Sequence, residues 1–154
     1  MPDAGIVTVS EVIPLKQNLD LIFCSELLNV KKVVKRIIYF LQNADPNLTT
    51  EEQSDLRLVF SELLYNAVVH GNKSDTNKNV HLNVEIEDGL IVGHVADEGN
   101  GFNYLEMLEH IDEEDLYNEC GRGIRLVYSL TDKLVFNMPG NAIRFYKKVA
   151  TTNG

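Results

Sequence analysis

Val80-His81-Leu82-Asn83-Val84-Glu85-Ile86-Glu87-Asp88-Gly89-Leu90-Ile91-Val92-Gly93-His94-Val95-Ala96-Asp97 is the stretch that decides the fold. Val80, Leu82, Val84 and Ile86 alternate with His81, Asn83, Glu85 and Glu87, the period of a strand with one face buried. Asp88-Gly89 is the favoured two-residue hairpin turn, and the returning strand runs from Leu90 to Asp97. Pairing across the turn sets Ile86 opposite Ile91, Val84 opposite Gly93, Leu82 opposite Val95 and Val80 opposite Asp97. A slip of one residue would reverse every face. In this register Asp97 points to the side of the buried aliphatics, a carboxylate aimed at the core from the end of a strand.

Working outward, Leu19-Asp20-Leu21-Ile22-Phe23 alternates and predicts a further strand. Ser25 stands where an N-cap belongs, and Leu27, Val30, Val34, Ile37, Ile38 and Leu41 recur at helical spacing over 26–42. The outer face of that helix holds Lys31, Lys32, Lys35 and Arg36, either a solvated face or a patch for a partner. Thr50 with Gln53 resembles a capping box and starts a second helix. Its core stripe is Leu56, Val59, Phe60, Leu63, Leu64 and Ala67, and it stops at Gly71. Lys73–Asn79 is turn-like. Residues 1–18 form an irregular N-terminal arm with a short strand at Ile6–Ile13 and a break at Pro14.

Residues 102–120 make a long connection, helical over Tyr104–His110. A connection of that length is usually functional or disordered, and here it is expected to be a lid. Glu106, Glu109, Asp112, Glu113, Glu114, Asp115 and Glu119 fall within it, with no Lys or Arg among them. Gly121–Thr131 is predicted as a third helix. Leu134–Met138 and Ala142–Val149 form a last hairpin around Pro139-Gly140-Asn141, and 150–154 is a tail. The order β-α-α-β-β-lid-α-β-β gives an α+β fold, a two-layer sandwich with helices on one face of a mostly antiparallel sheet. Residues 19–149 form one domain without internal repeats.

Length and composition agree. With 154 residues, 44% hydrophobic and 24% charged, the chain can bury a core without metals or disulfides. Fourteen bases against 23 acids leave a net charge of −9. That argues against direct nucleic-acid binding, which calls for a basic face, and suits either solubility or a basic partner. There is no apolar run of membrane-spanning length and no basic-then-apolar leader. Cys24 and Cys120 lack metal-ligand spacing. A reduced, cytoplasmic protein with no membrane partner is expected.

Three short stretches carry chemistry. Glu62 and Asn66 lie one helical turn apart at the edge of the apolar stripe. They could orient a hydroxyl and help hold Mg²⁺, which takes oxygen ligands and keeps several waters, or simply flank a helix. Asp97, buried at a strand end and followed by Gly99 and Gly101, needs a hydrogen-bond donor. An adenine amino group would serve, and so would the Asp97 turn itself. Gly121-Arg122-Gly123 is predicted to open a helix, where free N–H groups favour phosphate and Arg122 or Arg125 could add charge-assisted bonds. The alternative is a hinge before a core helix. His70 suits either a helix-terminal hydrogen bond or a phosphate contact.

In order and spacing, the set resembles the GHKL (histidine-kinase-like) ATPases, whose nucleotide pocket is the Bergerat fold. Glu62–Asn66 matches the N box, Asp97–Gly101 the first glycine box and Gly121–Gly123 the second. Asn66-Ala67-Val68-Val69-His70-Gly71 is most similar to the anti-sigma factor serine/threonine kinases of bacteria. The resemblance implies ATP or ADP and Mg²⁺ as ligands, with a sigma factor held inactive and a STAS-type antagonist phosphorylated on Ser or Thr. It implies a homodimer as well. Glu62 would be the general base, Asn66 the Mg²⁺ ligand and Asp97 the adenine contact. Gly99 and Gly101 would shape the base pocket, with Gly121, Arg122 and Gly123 along the phosphates. A nucleotide-binding partner switch without phosphotransfer is the alternative, and the acidic 102–120 connection favours it.

Overall fold

The computed structural model describes residues 16–104 and 119–150. The strand expected at Ile6–Ile13, nearly all of the helix expected at Tyr104–His110, and most of the 102–120 connection lie outside these residues. The elements are β1 (Gln17–Cys24), α1 (Leu27–Ala44), α2 (Thr50–Tyr65), a π-helical turn (Asn66–Gly71), β2 (Asn79–Glu87), β3 (Leu90–Ala96), α3 (Glu119–Leu130), β4 (Lys133–Phe136) and β5 (Ala142–Lys148). The five strands form one sheet, ordered β1-β2-β3-β5-β4, with every pairing antiparallel. This is the α+β sandwich predicted from the sequence. No helix among the described residues is long and apolar enough to cross a membrane.

The central hairpin has the register read from its alternation: Leu82 faces Val95, Val84 faces Gly93 and Ile86 faces Ile91. Asp88 and Gly89 both take positive φ, 51° and 77°, as a turn matching strand twist requires. The β2–β3 pairing ends at His81–Ala96. Beyond them the Asp97 N–H donates to the Asn141 carbonyl at 2.8 Å, so Asp97 continues toward β5.

Val80, Leu82, Val84 and Ile86 are buried, as are Ile91, Val95, Ile143 and Phe145. On this surface pack the apolar stripes of α1 (Val30, Val33, Val34, Ile37, Ile38, Leu41) and α2 (Leu56, Val59, Phe60, Leu63, Leu64). Each such side chain contributes roughly 1.5–3 kcal/mol by leaving water. Phe60 meets Phe145 edge-on, with centroids 5.1 Å apart, which pins α2 to the middle of the sheet.

Three local expectations are corrected. Ser25 does not cap α1: the cap position is Glu26, with no side-chain bond. Ser25 is instead fully buried, donating to the Lys78 carbonyl at 2.9 Å and accepting from Asn72 at 2.7 Å. The capping box on α2 is Thr49 with Glu52, one residue earlier than Thr50 with Gln53. The third correction concerns α3, which is already helical at Glu119. Gly121, Arg122 and Gly123 therefore lie inside it rather than at its opening.

Candidate nucleotide site

Helix α2 does not run regularly to Gly71. From Asn66 it widens into one π turn, in which the Asn72 N–H bonds the Ala67 carbonyl five residues back at 2.9 Å. Such turns are rare and concentrate at functional sites. A cluster of sequence-predicted residues gathers at each end of it.

At the Gly71 end stands Asp97, 9% exposed. Its Oδ1 accepts the Gly99 N–H at 2.8 Å. That is the turn bond the sequence left open, and it occupies only one oxygen. Oδ2 accepts no hydrogen bond from the described residues. A methyl group on Gly71 would run into the Asp97 carboxylate, and one on Gly99 would run into the Gly71 carbonyl. Both glycines are therefore required by close approach rather than by their own torsions. Burial pushes the Asp97 carboxyl above its usual range, against the opposing pull of the Gly99 N–H and the nearby Lys78 charge.

The support for this loop comes from two residues that sequence reasoning passed over. Asn72 is 1% exposed. Its Nδ2 donates to Ser25 Oγ at 2.7 Å and to the Asn79 carbonyl at 2.9 Å, while its Oδ1 accepts the Glu98 N–H at 2.7 Å. One amide thus ties the end of the π turn to β1, β2 and the Asp97 loop. Asn141 adds its carbonyl to the Asp97 N–H and its Nδ2 to the Gly99 carbonyl at 3.3 Å. Both asparagines sit in turn-like sequence, where Asn needs no further explanation. Only the tertiary contacts reveal them.

At the other end Asn66 is 3% exposed, and its Nδ2 is buried with no partner among the described residues. Buried side-chain polar atoms are ordinarily satisfied, so this one is available to a ligand. Turned over, the same amide would present Oδ1 there. Glu62, half-buried, lies one turn before it. Helix α3 crosses α2 at Gly123, where a methyl group would strike Glu62 Oε2 and sit 3.6 Å from Asn66 Nδ2. Gly123 is thus a small residue at a helix crossing, which accounts for its place inside α3. Arg122 is exposed beside it, on the wall of a cavity of about 1200 Å³ between α1, α2 and α3.

His70 Nε2 is buried without a partner among the described residues, and the ring lies edge-on to Tyr65 and Phe102, with centroids 5.8 and 6.1 Å away. The structure thus brings Glu62, Asn66 and Gly123 together, and Asp97, Gly99 and Gly71 together, with His70 on the turn between them. Gly101 stands apart. With φ of 94°, it packs its backbone on the Pro139 carbonyl and joins the loop to the β4–β5 turn.

No group of three or more His, Cys, Asp or Glu among the described residues could cage a metal. Mg²⁺ takes oxygen ligands, whereas the orphaned Asn66 atom is a nitrogen donor; only with the amide turned over would Oδ1 be presented there for the metal.

Residues 25–147 match the family described as the histidine kinase-like ATPase domain. Similar proteins include an anti-sigma F factor of Geobacillus stearothermophilus, 40% identical over 67 residues, a segment covering 44% of each chain. An anti-sigma F factor of Geobacillus sp. (strain WCH70) is 37% identical over 98 residues, 62% of this chain and 66% of that protein. That of Geobacillus thermodenitrificans is 32% identical over 98 residues, with the same coverage. The chain therefore spans between 44% and 66% of the length of these curated relatives. Both the match along most of the sequence and the paired clusters place this chain in the histidine-kinase-like ATPase family.

Proposed function

We propose that this protein is an anti-sigma factor and an ATP-dependent serine/threonine kinase whose acceptor is a STAS-type anti-sigma-factor antagonist. The observation that carries the reading is the π turn, with the buried Asp97 carboxylate at one end and a carboxylate–amide pair at the other. A nucleotide laid along Asn66–Gly71 would put its base amino group on Asp97 Oδ2. Its phosphates would lie beside Asn66, Gly121, Arg122 and Gly123.

Glu62 would take the acceptor hydroxyl's proton as its oxygen bonds the γ-phosphorus and the bond to the bridging oxygen of ADP breaks. Asn66 would hold Mg²⁺, which when bound neutralises phosphate charge. Arg122 would add charge-assisted bonds, and His70 would offer Nε2. Positioning and charge neutralisation account for most of such a transfer. Homodimerisation and a cytoplasmic setting belong to the same reading, and the similarity to anti-sigma F factors supports its sigma-factor partner.

The seven acids between Glu106 and Glu119 favour a second reading. In it the chain binds ATP or ADP and switches partners without transferring phosphate. Labelled ATP, Mg²⁺ and a candidate STAS protein separate the two. The kinase reading expects label on the acceptor and a fall of about 10²–10⁴-fold in transfer for Glu62→Gln with ATP affinity retained. ATP binding without any transfer would establish the switch instead.

A further inference from the structure

The cavity between α1, α2 and α3 has a face that a nucleotide does not explain. Besides Arg122, which the nucleotide reading uses, four of the chain's 14 Lys and Arg residues line it: Lys31, Lys32, Lys35 and Arg57. All four are exposed, and none makes an ion pair among the described residues. On a chain of net charge −9, this is a local reversal of sign. At the mouth of the same cavity stand Leu27 and Leu28, 54% and 78% exposed. Leu28, Lys31, Lys32 and Lys35 follow one another at helical spacing, so apolar and cationic groups share one surface of α1. Glu62 and Gly123 form part of the inner wall.

Cations around exposed leucines fit a peptide bearing both acids and apolar side chains better than they fit a bare polyanion. The acidic remainder of the surface would repel a long nucleic acid or an anionic membrane. We infer that this groove docks an acidic, leucine-bearing segment of the acceptor protein and so delivers the acceptor hydroxyl to Glu62. The acceptor's identity rests on the phosphotransfer reading; the docking surface does not. Because the contacts are charged and solvent-exposed, docking weakens as salt rises.

The test uses a short fluorescein-labelled peptide of Glu and Leu around one Ser, a twin with Lys for Glu, and anisotropy titrations of the whole chain. The acidic peptide should bind saturably and the Lys twin should not. Lys31→Glu combined with Lys32→Glu and Lys35→Glu should weaken binding at least tenfold, and Leu28→Ala several-fold. Both variants should keep wild-type melting temperature and ATP affinity, since these side chains are exposed and lie outside the nucleotide site. Equal binding of the triple variant, equal binding of the Lys twin, or no saturable binding overturns the inference. So does displacement of the peptide by duplex DNA or phosphatidylglycerol vesicles at lower concentration than by unlabelled peptide. Self-association of the wild type that the triple variant loses and the peptide cannot compete would assign the groove to a second copy of this chain and overturn it equally. Loss of ATP binding with peptide docking intact would count against the proposed kinase while leaving the groove standing.

Discussion

At the Gly71 end of the π turn, Asp97, Gly99, Asn72 and Asn141 are locked by backbone and amide hydrogen bonds, and two glycines are packed flush against their neighbours. At the Asn66 end the opposite holds: Asn66 keeps a buried nitrogen without a partner among the described residues, next to Glu62 and Gly123, which line a cavity of about 1200 Å³. One end is finished before any ligand arrives, and the other is left to be completed by one. The difference teaches where each property resides. A preorganised end contributes affinity because little is left to order on binding. Groups that find partners only with the reactants present contribute to turnover.

A matched pair of substitutions would break that division most sharply. Gly71→Ala drives a methyl group into the Asp97 carboxylate. Displacements of that size cost about 10²-fold, so calorimetry should show ADP affinity falling by about that factor. Gly123→Ala instead pushes on the Glu62 carboxylate and leaves Asn66 at ordinary contact distance. Phosphotransfer should fall by about 10²-fold while ADP affinity changes little. The same loss of affinity in both variants would dissolve the contrast between the two ends.

Asp97→Asn sharpens the contrast with a smaller effect. It removes a charged acceptor worth about 1.5–3 kcal/mol, so adenine-nucleotide affinity should fall about 10–150-fold. Stability should move the other way. Burial raises the Asp97 pKa, so its contribution is full below the unfolded value and lost as pH rises through the folded one. At neutral pH the ionised acid therefore costs stability. The nucleotide-free Asn variant should melt at or above wild type there, with the gap closing as pH falls toward the ordinary carboxyl range. A lower melting temperature at neutral pH would refute the assignment of Asp97 as a site held against stability.

The smallest effect is expected far from both ends. Thr49→Ala removes the capping box of α2. It should cost about 1 kcal/mol, about 2–4 °C in melting temperature, with nucleotide affinity unchanged. Glu52 sets its pH dependence. Burial alone would raise its pKa, but bonds from the Thr49 and Ala150 N–H groups hold it below the usual value. That contribution is present above the unfolded pKa and lost as pH falls through the folded one; the Ala variant keeps both N–H donors, so mutant and wild type should lose it together in acid.

What could be read from the residues was whatever repeats. The period of two in Val80–Ile86 and the 3.6 spacing of Leu56–Leu64 fixed register and core because each is enforced many times over. Single-residue features were read less well. Thr49 and Thr50 are the same residue, and Glu52 and Gln53 can each close a capping box, so only geometry separates the two pairs. Ser25 has the right chemistry for a cap but is taken by the buried Asn72 network. The π turn has no compositional mark, because Asn66–Gly71 fits a regular helix equally well. Glu62, Asn66 and Asp97 stood out because a carboxylate or amide at a core edge is costly without a reason, whereas Gly123, expected at a helix opening, lies inside α3. Asn72 was not, because a turn is where Asn belongs.

The wide turn has a mechanical consequence. Asn66 and Gly71 are borne on a single loop of backbone, like two cranks on one shaft. Rewinding it to an ordinary α-helix would rotate one against the other by a large fraction of a turn. Removing His70, which leaves the core residues Ala67 and Val68 in the chain, would therefore throw the Asp97 end and the Glu62–Asn66 end out of phase at a stroke.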